Sequence, residues 1–401
     1  MAAQMKPTNK KKTAKNNIAK FRQDHRLLVV GAFRGLGLLV MLAVLVFSIV
    51  AYQDYLNPAA LRQGLRYLGA TASRGEVSML DVDPEEDAVY LPMGLGMISA
   101  SKDGFGYHSM VEENRYQVSG SYRTPALTAG NRLALIYDRG GSNLSVVTSY
   151  SQVWSKTLDS TILSATMNRR GDFALVTNET GYRCAVTVYN NKQTMLCKWL
   201  TSQHYILTAA VNHNASAFAA LCFSMGDKSM NTQAMLFRTG EEKAFSTIDL
   251  QGRTVCSMKY DNSGNLFILC EDGLLVIDSN GNTKLDRSFN TTLAGFCHTD
   301  GSAPLMIFTR AASDGEVVQL LRLSDSGKTL CAAEYAGTYL DAATDGETVH
   351  LLLSDKLISF IPDSDLQAEV PCSGAIAVLA GSGKQPIVRY TDRAEKLKLL
   401  D

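Results

Sequence analysis

The chain has little of what most enzyme classes announce. Its six histidines form no HExxH pair and show no second histidine at ligand spacing, so no zinc or other metal centre is expected. No GxSxG elbow is present, which removes a hydrolase domain of the kind that propeller peptidases carry. The nearest approach to a phosphate loop, residues 380–384 (AGSGK), has Val378 where the first glycine belongs and Gln385 after the lysine, so it reads as a hairpin turn. Carboxylates such as Asp261, Asp278 and Asp325 are too sparse at short spacing for calcium and suit the capping of turns. No cofactor motif remains, and no catalytic residue is expected from local motifs. With 9 prolines and 31 glycines in 401 residues, and 46% hydrophobic content, collagen-like and disordered chains are excluded. A single apolar run excludes a polytopic membrane protein.

Net charge is also lacking, but the zero is an average over unlike parts. Residues 1–26 hold eight Lys/Arg and one acidic residue, so 27–401 carry 31 basic and 38 acidic residues, a net of −7. An acidic body argues against a nucleic-acid surface. The first 26 residues read as a disordered basic tail. From Leu27 the chain turns apolar, and Gly35 to Ala51 (GLGLLVMLAVLVFSIVA) is uncharged. Residues 27–53 are therefore expected to form one transmembrane α-helix, with Arg34 snorkelling to the headgroups and Tyr52 and Tyr55 at the far interface. The positive-inside rule leaves the tail in the cytoplasm, held near anionic lipid by ~1 kcal/mol per cation, and puts the rest outside. A cleaved signal peptide and a buried core helix are the competing readings; the long basic segment and the poor Ile49-Val50-Ala51 site weigh against cleavage. Residues 54–75 open on Asn57-Pro58 and read as a short amphipathic helix and linker, lying on a membrane, on a partner or on the chain's own exterior domain.

Beyond about residue 88 no stretch long enough for a helix keeps a helical period. Short aliphatic runs are instead broken by Gly, Asn and Asp turns every ~8–12 residues, which makes the exterior domain (76–401) all-β. The runs recur. An opening strand, a turn and a very apolar strand appear at 163–177, 207–223, 256–270, 293–310 and 340–354; a hairpin follows each, at 185–196, 234–245, 274–285, 320–330 and 357–370. Four strands per unit predict a β-propeller, in which no blade buries both faces until a neighbour stacks on it. Blades are expected near 88–124, 125–162, 163–206, 207–255, 256–292, 293–339 and 340–374, with a final fragment of three strands (376–379, 386–390, 397–400). Residues 77–80 would supply its fourth strand and leave no open edge, which favours eight blades, with seven as the alternative.

Tyr137-Asp138-Arg139-Gly140-Gly141, Gly181-Tyr182 leading into Val186-Thr187-Val188-Tyr189-Asn190, and Lys198-Trp199 together resemble the DUF5711 proteins of Firmicutes. That resemblance covers most of the chain from the anchor onward. It implies a single-pass bacterial envelope protein with a WD40-like or quinoprotein-like propeller outside the membrane, no assigned activity, and no catalytic residues to carry over. In plain structural terms Gly140-Gly141 is a turn between two strands, and Trp199 is a ring that packs an outer strand against a neighbouring blade.

All eight cysteines lie in the exterior domain. If Asn190-Asn191 is a two-residue hairpin turn, residues whose numbers sum to 381 face each other, and Cys184 opposes Cys197 as the candidate disulfide. Cys222 and Cys270 end equivalent apolar strands and read as small buried hydrophobes. The functional expectation is a membrane-anchored binding or scaffold module for a protein or an envelope polymer. The alternatives are an envelope enzyme whose groups converge in the central funnel and a structural element of a larger complex.

Overall fold

In the computed structural model, residues 37–44 and 46, 79–81 and 88–397 are described, apart from 95, 110–114, 226–229, 299–302, 314, 346, 363, 365 and 381–384. The chain divides into two compact units, 1–62 and 63–401. In the first, residues 37–44 are helical, and Leu38, Leu39 and Met41 are 66–69% exposed. No helix among the described residues is long and apolar enough to cross a membrane. The basic tail, most of the expected 27–53 span, the 54–75 segment and the 381–384 loop lie outside the described residues.

The second unit is built from the repeat. Among the described residues, 32 strands form eight four-stranded antiparallel sheets, seven of them from four consecutive strands. These seven sheets span 89–119, 125–157, 162–201, 205–249, 255–288, 293–336 and 339–371; each ends inside its expected blade, and four of them, starting at 162, 205, 255 and 339, begin one or two residues before it. The eighth joins Ala377–Ala380, Pro386–Arg389 and Arg393–Lys396 to Met79–Asp81, which pairs with Arg393–Lys396. The ring is an eight-bladed β-propeller closed by an N-terminal strand. One strand departs from expectation: the third of the last blade lies at 393–396, not 397–400, because a tight turn in which Tyr390 N donates to Arg393 O (2.7 Å) reverses the chain early.

Burial follows the pattern a stacked sheet requires. The second strands of blades 2, 3, 5 and 7 (Ala134–Asp138, Phe173–Thr177, Leu266–Cys270, Val349–Leu353) are buried at every position because both faces meet a neighbouring blade. Outer strands such as Gln367–Pro371 alternate between exposed and half-buried. The core is divided accordingly into eight apolar clusters, one at each blade-to-blade seam. At the seam of blades 3 and 4, Phe218 stacks on Phe237 at 4.8 Å and Trp199 of the outer strand lies 4.4 Å from the same ring. Among the described residues the closing seam of blades 8 and 1 is the thinnest, with Met97, Ile387 and Ala394 at its centre.

Hydroxyl and carboxylate side chains lock the inner strands, whose axis-facing edges have no fifth strand to pair with. Ser164 donates to Leu207 O at 3.0 Å, Thr166 donates to Ala209 O, Thr128 accepts from Met167 N at 3.2 Å, and Asp341 accepts from Val378 N at 2.9 Å. Turns on one rim share a single device: an Asn, Asp or Ser accepts the backbone N–H groups two and four residues on. Asp261 does so from Ser263 and Asn265, and Asp278 from Asn280 and Asn282. Asp325, in contrast, ties blade 6 to Lys284 and Asn265 of blade 5.

Candidate functional site

The two signature segments fold into equivalent positions. Tyr137-Asp138-Arg139-Gly140-Gly141 is the turn between the second and third strands of blade 2, and Gly181-Tyr182-Arg183 closes the same turn of blade 3. Gly140 (φ 80°) and Gly181 (φ 84°) supply the left-handed conformations these turns need. Asp138 is 4% exposed, and its Oδ1 accepts Arg123 N at 2.7 Å and Thr124 N at 3.0 Å, pinning the entry to blade 2. Gly141 has no room for a side chain, since a Cβ would stand 1.8 Å from Asp138 Oδ2. On either side the turn bonds its neighbours: Arg139 N donates to Thr124 O, Gly140 N to Ile162 O, and Ile162 N back to Gly141 O. The segment is thus a clamp across the starts of blades 2 and 3. Asp138→Ala would remove the buried acceptor of two N–H groups and is expected to cost about 2 kcal/mol, read as a lower denaturation midpoint with an unchanged slope.

Beside this clamp the inner strands carry a repeated irregularity. In five consecutive blades the register slips by one residue near the strand start, at Leu163, Leu207, Cys256, Ala294 and Leu340. A β-bulge leaves its extra residue out of the ladder and re-aims it. Here the result is apolar side chains facing solvent: Leu163 is 36% exposed, Leu207 51% and Leu340 42%. Next to the first two lie Tyr182 and Tyr205, also exposed. Tyr205 stacks on Phe223 at 5.1 Å and is covered by the Arg183 guanidinium at 4.8 Å. Because Ser164 is bonded to Leu207 O, the Leu163 and Leu207 positions of blades 3 and 4 are neighbours. An apolar and aromatic patch therefore occupies one rim of blades 3 and 4, on the same side as the glycine turns, with Arg123, Arg139 and Arg183 all exposed around it.

The expected cysteine pair is not brought together. Cys184 faces Thr201 and Cys197 faces Val188, so facing numbers sum to 385 and not 381. The hairpin is longer than two residues: Asn190 caps a turn through Thr194, with Gln193 at φ 59°, and a bulge follows at Val188/Tyr189. All eight cysteines are free thiols. Burial raises Cys184 and Cys197 above the usual thiol range and pushes Cys222 and Cys270 up to about 12, which keeps them protonated and unreactive.

Two further arrangements bear on chemistry. Ser257 Oγ lies 2.7 Å from His298 Nε2 across blades 5 and 6, the spacing of a nucleophile and its base. However, desolvation with Lys259 and Arg322 nearby holds His298 down at about 3, and its buried Nδ1 has no hydrogen-bond partner among the described residues. So depressed a histidine is a weak base, and the contact reads as a hydrogen bond that ties blades 5 and 6. The grooves between outer strands are shallow. One of about 250 Å³ is lined by Lys156, Lys198, Glu179 and Tyr189, and one of about 370 Å³ by Tyr335, Phe360 and Pro362.

Comparison with known proteins adds a family and a fold. A family of unknown function, DUF5711, matches residues 75–364. Among solved structures, the C-terminal WD40 domain of Sif2 is similar at TM-score 0.52 and 11% identity, over 82% of this chain and 99% of that one. BamB from Moraxella catarrhalis is similar at TM-score 0.48 and 13% identity, over 81% of this chain and 100% of that one. No curated protein matches. Sequence reasoning placed the two glycine turns and the Trp199 packing. It missed the patch, because an extra residue in an aliphatic strand carries no signal of its own.

Proposed function

The chain belongs to the DUF5711 family of unknown function, and on that footing we propose that it is a membrane-anchored, extracytoplasmic binding module that holds a protein partner on the rim of blades 2 to 4. The observation that carries this reading is the solvent-facing group Leu163, Tyr182, Tyr205 and Leu207, set on strands and turns that the Asp138 clamp keeps rigid. Rigid aromatic anchors lose little entropy on binding, and a contiguous apolar patch on a closed ring marks an interaction site. A ring with bonded seams also suits a scaffold, since it changes shape little on contact.

The anchoring half of the proposal is supported by the uncharged run Gly35 to Ala51, by the exposed Leu38, Leu39 and Met41 of the 37–44 helix, and by the cationic residues 1–26. With the tail inside, the propeller stands in the bacterial envelope, where a protein partner meets it. A photo-crosslinking residue placed at Tyr182 in living cells is expected to give a discrete adduct. The same residue at Lys192, in a turn on the opposite rim, is expected to give none. Equal labelling from both rims, or labelling from Lys192 alone, would defeat the assignment.

A further inference from the structure

Charge around the patch defines what it binds. The body is net acidic, −7 over residues 27–401, and several arginines of the ring already sit on carboxylates: the half-buried Arg253 on Asp286 at 2.9 Å and Arg393 on Glu395 at 2.6 Å, and the exposed Arg310 on Glu334 at 3.3 Å. Arg123, Arg139 and Arg183 differ. Each is exposed on the patch rim, and none has an ion pair among the described residues. Two of the nearby acids are already committed. Asp138 is buried against Arg123 N and Thr124 N, and Glu179 is taken by Lys198 at 2.9 Å and by Thr177 at 2.9 Å. Asp159 belongs to the groove that Lys156 and Lys198 line.

The three arginines are held in a row by the backbone. Arg139 N bonds Thr124 O, the residue after Arg123; the Gly140 and Ile162 pair then links blade 2 to blade 3, and Asn178 N bonds Thr161 O on the way to Arg183. Arg183 is fixed over the Tyr205 ring and by a 3.2 Å bond to Gln203 O. A line of guanidinium groups with no carboxylate partner among the described residues, beside Leu163, Tyr182, Tyr205 and Leu207, is complementary to one kind of ligand. We infer that this rim binds an acidic segment of a partner protein, whose Asp or Glu side chains meet Arg123, Arg139 and Arg183 while interleaved leucine or aromatic side chains cover the bulge leucines and the two tyrosines. Guanidinium forks recognise carboxylates in two-point contacts, and the apolar anchors exclude water from them. This inference rests on the binding-module reading and specifies its ligand chemistry.

The test uses the full-length chain in mild detergent and three short labelled peptides with leucine and phenylalanine at alternate positions. The intervening residues are Asp/Glu in the first peptide, Asn/Gln in the second and Lys in the third. Fluorescence anisotropy is expected to show the acidic peptide binding about tenfold or more tighter than the amide peptide, with affinity falling as salt is raised. In the doubly substituted Arg139→Glu, Arg183→Glu chain the order should reverse, with the lysine peptide binding better than the acidic one. An Arg139→Gln, Arg183→Gln chain, which adds no repulsion, should bind the acidic and amide peptides alike, and an unchanged Tm shows that both variants fold. Equal binding of all three peptides by the parent chain, or an unaltered order in the variants, overturns the inference. Loss of that shared binding in Leu207→Ser would then still leave the rim as a binding surface for an uncharged partner. Concentration-dependent self-association of the parent, abolished by the arginine substitutions, would identify a second copy as the occupant and likewise reject the acidic partner.

Discussion

Acidification from pH 7 to pH 4.5 is expected to destabilise the propeller by about 2–3 kcal/mol through His350 alone. His350 is 1% exposed on the second strand of blade 7, and its Nδ1 is 2.8 Å from Ser359 Oγ on the third. Burial holds it down at about 4, against an ordinary value of 6.5; Asp345 offsets this only in part. The folded state therefore resists protonation while the unfolded chain accepts it below 6.5. A depressed histidine leaves stability intact above that value and removes it progressively as pH falls toward 4. His298, held lower still, acts in the same direction. Carboxylates confuse the window little. Glu179 and Glu369 are lowered by Lys198 and Lys356 and lose their contribution only below the usual glutamate range, whereas burial raises Asp341, which opposes the trend. Denaturation curves taken between pH 7 and pH 4.5 should show the midpoint falling steadily, and in His350→Gln, which keeps a partner for Ser359, the fall should be markedly shallower. Parallel pH dependence in parent and variant would remove His350 from the account.

The ring was legible in the sequence because its punctuation is local. Most blade boundaries fall at connections that carry Gly, Asn or Asp, and the stranded apolar residues after Val77 have no helix or sheet of their own to join. What failed was counting within turns. The hairpin after Tyr189 reads as two residues because no glycine marks its end; Gln193 adopts the left-handed conformation there at φ 59°, as Ala215 does at φ 56° in the next blade, positions where Gly264 and Gly281 stand in blade 5. A register error of four followed, and with it the misplaced Cys184 and Cys197 pair. The candidate surface was hidden for a related reason. Leu163 and Leu207 belong to strands that otherwise supply core residues such as Ile162, Ala165, Ile206 and Ala209, and only a one-residue slip against Val176 and Leu221 turns them out. Arg123, Arg139 and Arg183 read as ordinary solvated charges until the fold shows that none of them has an ion pair among the described residues.

Closure is where the fold has least to hold it, so the joint between its ends should dominate its stability. Among the described residues three pairs, Met79 with Glu395, Leu80 with Ala394 and Asp81 with Arg393, tie the N-terminal strand to the last blade. Behind them lies the core that is thinnest among the described residues, reinforced by the Arg389 guanidinium 5.1 Å from the Tyr90 ring. Deleting residues 77–81 removes those ladder bonds, at about 1 kcal/mol each, and opens the edge of Arg393–Lys396 to water. The expected cost is about 3 kcal/mol, a fall in Tm of roughly 5 °C, with a new tendency to associate through the bared edge. The converse substitution should act more strongly. Leu80→Cys combined with Ala394→Cys places two thiols directly opposite each other, and their bridge would close a loop of more than about 300 residues, worth about 5 kcal/mol in the chain-entropy account. Oxidised and reduced forms of that variant should then differ in Tm by more than the deletion costs. If instead the deletion leaves Tm unchanged while the bridge forms without raising it, the seam is not the first part of the ring to open, and unfolding must begin at another blade.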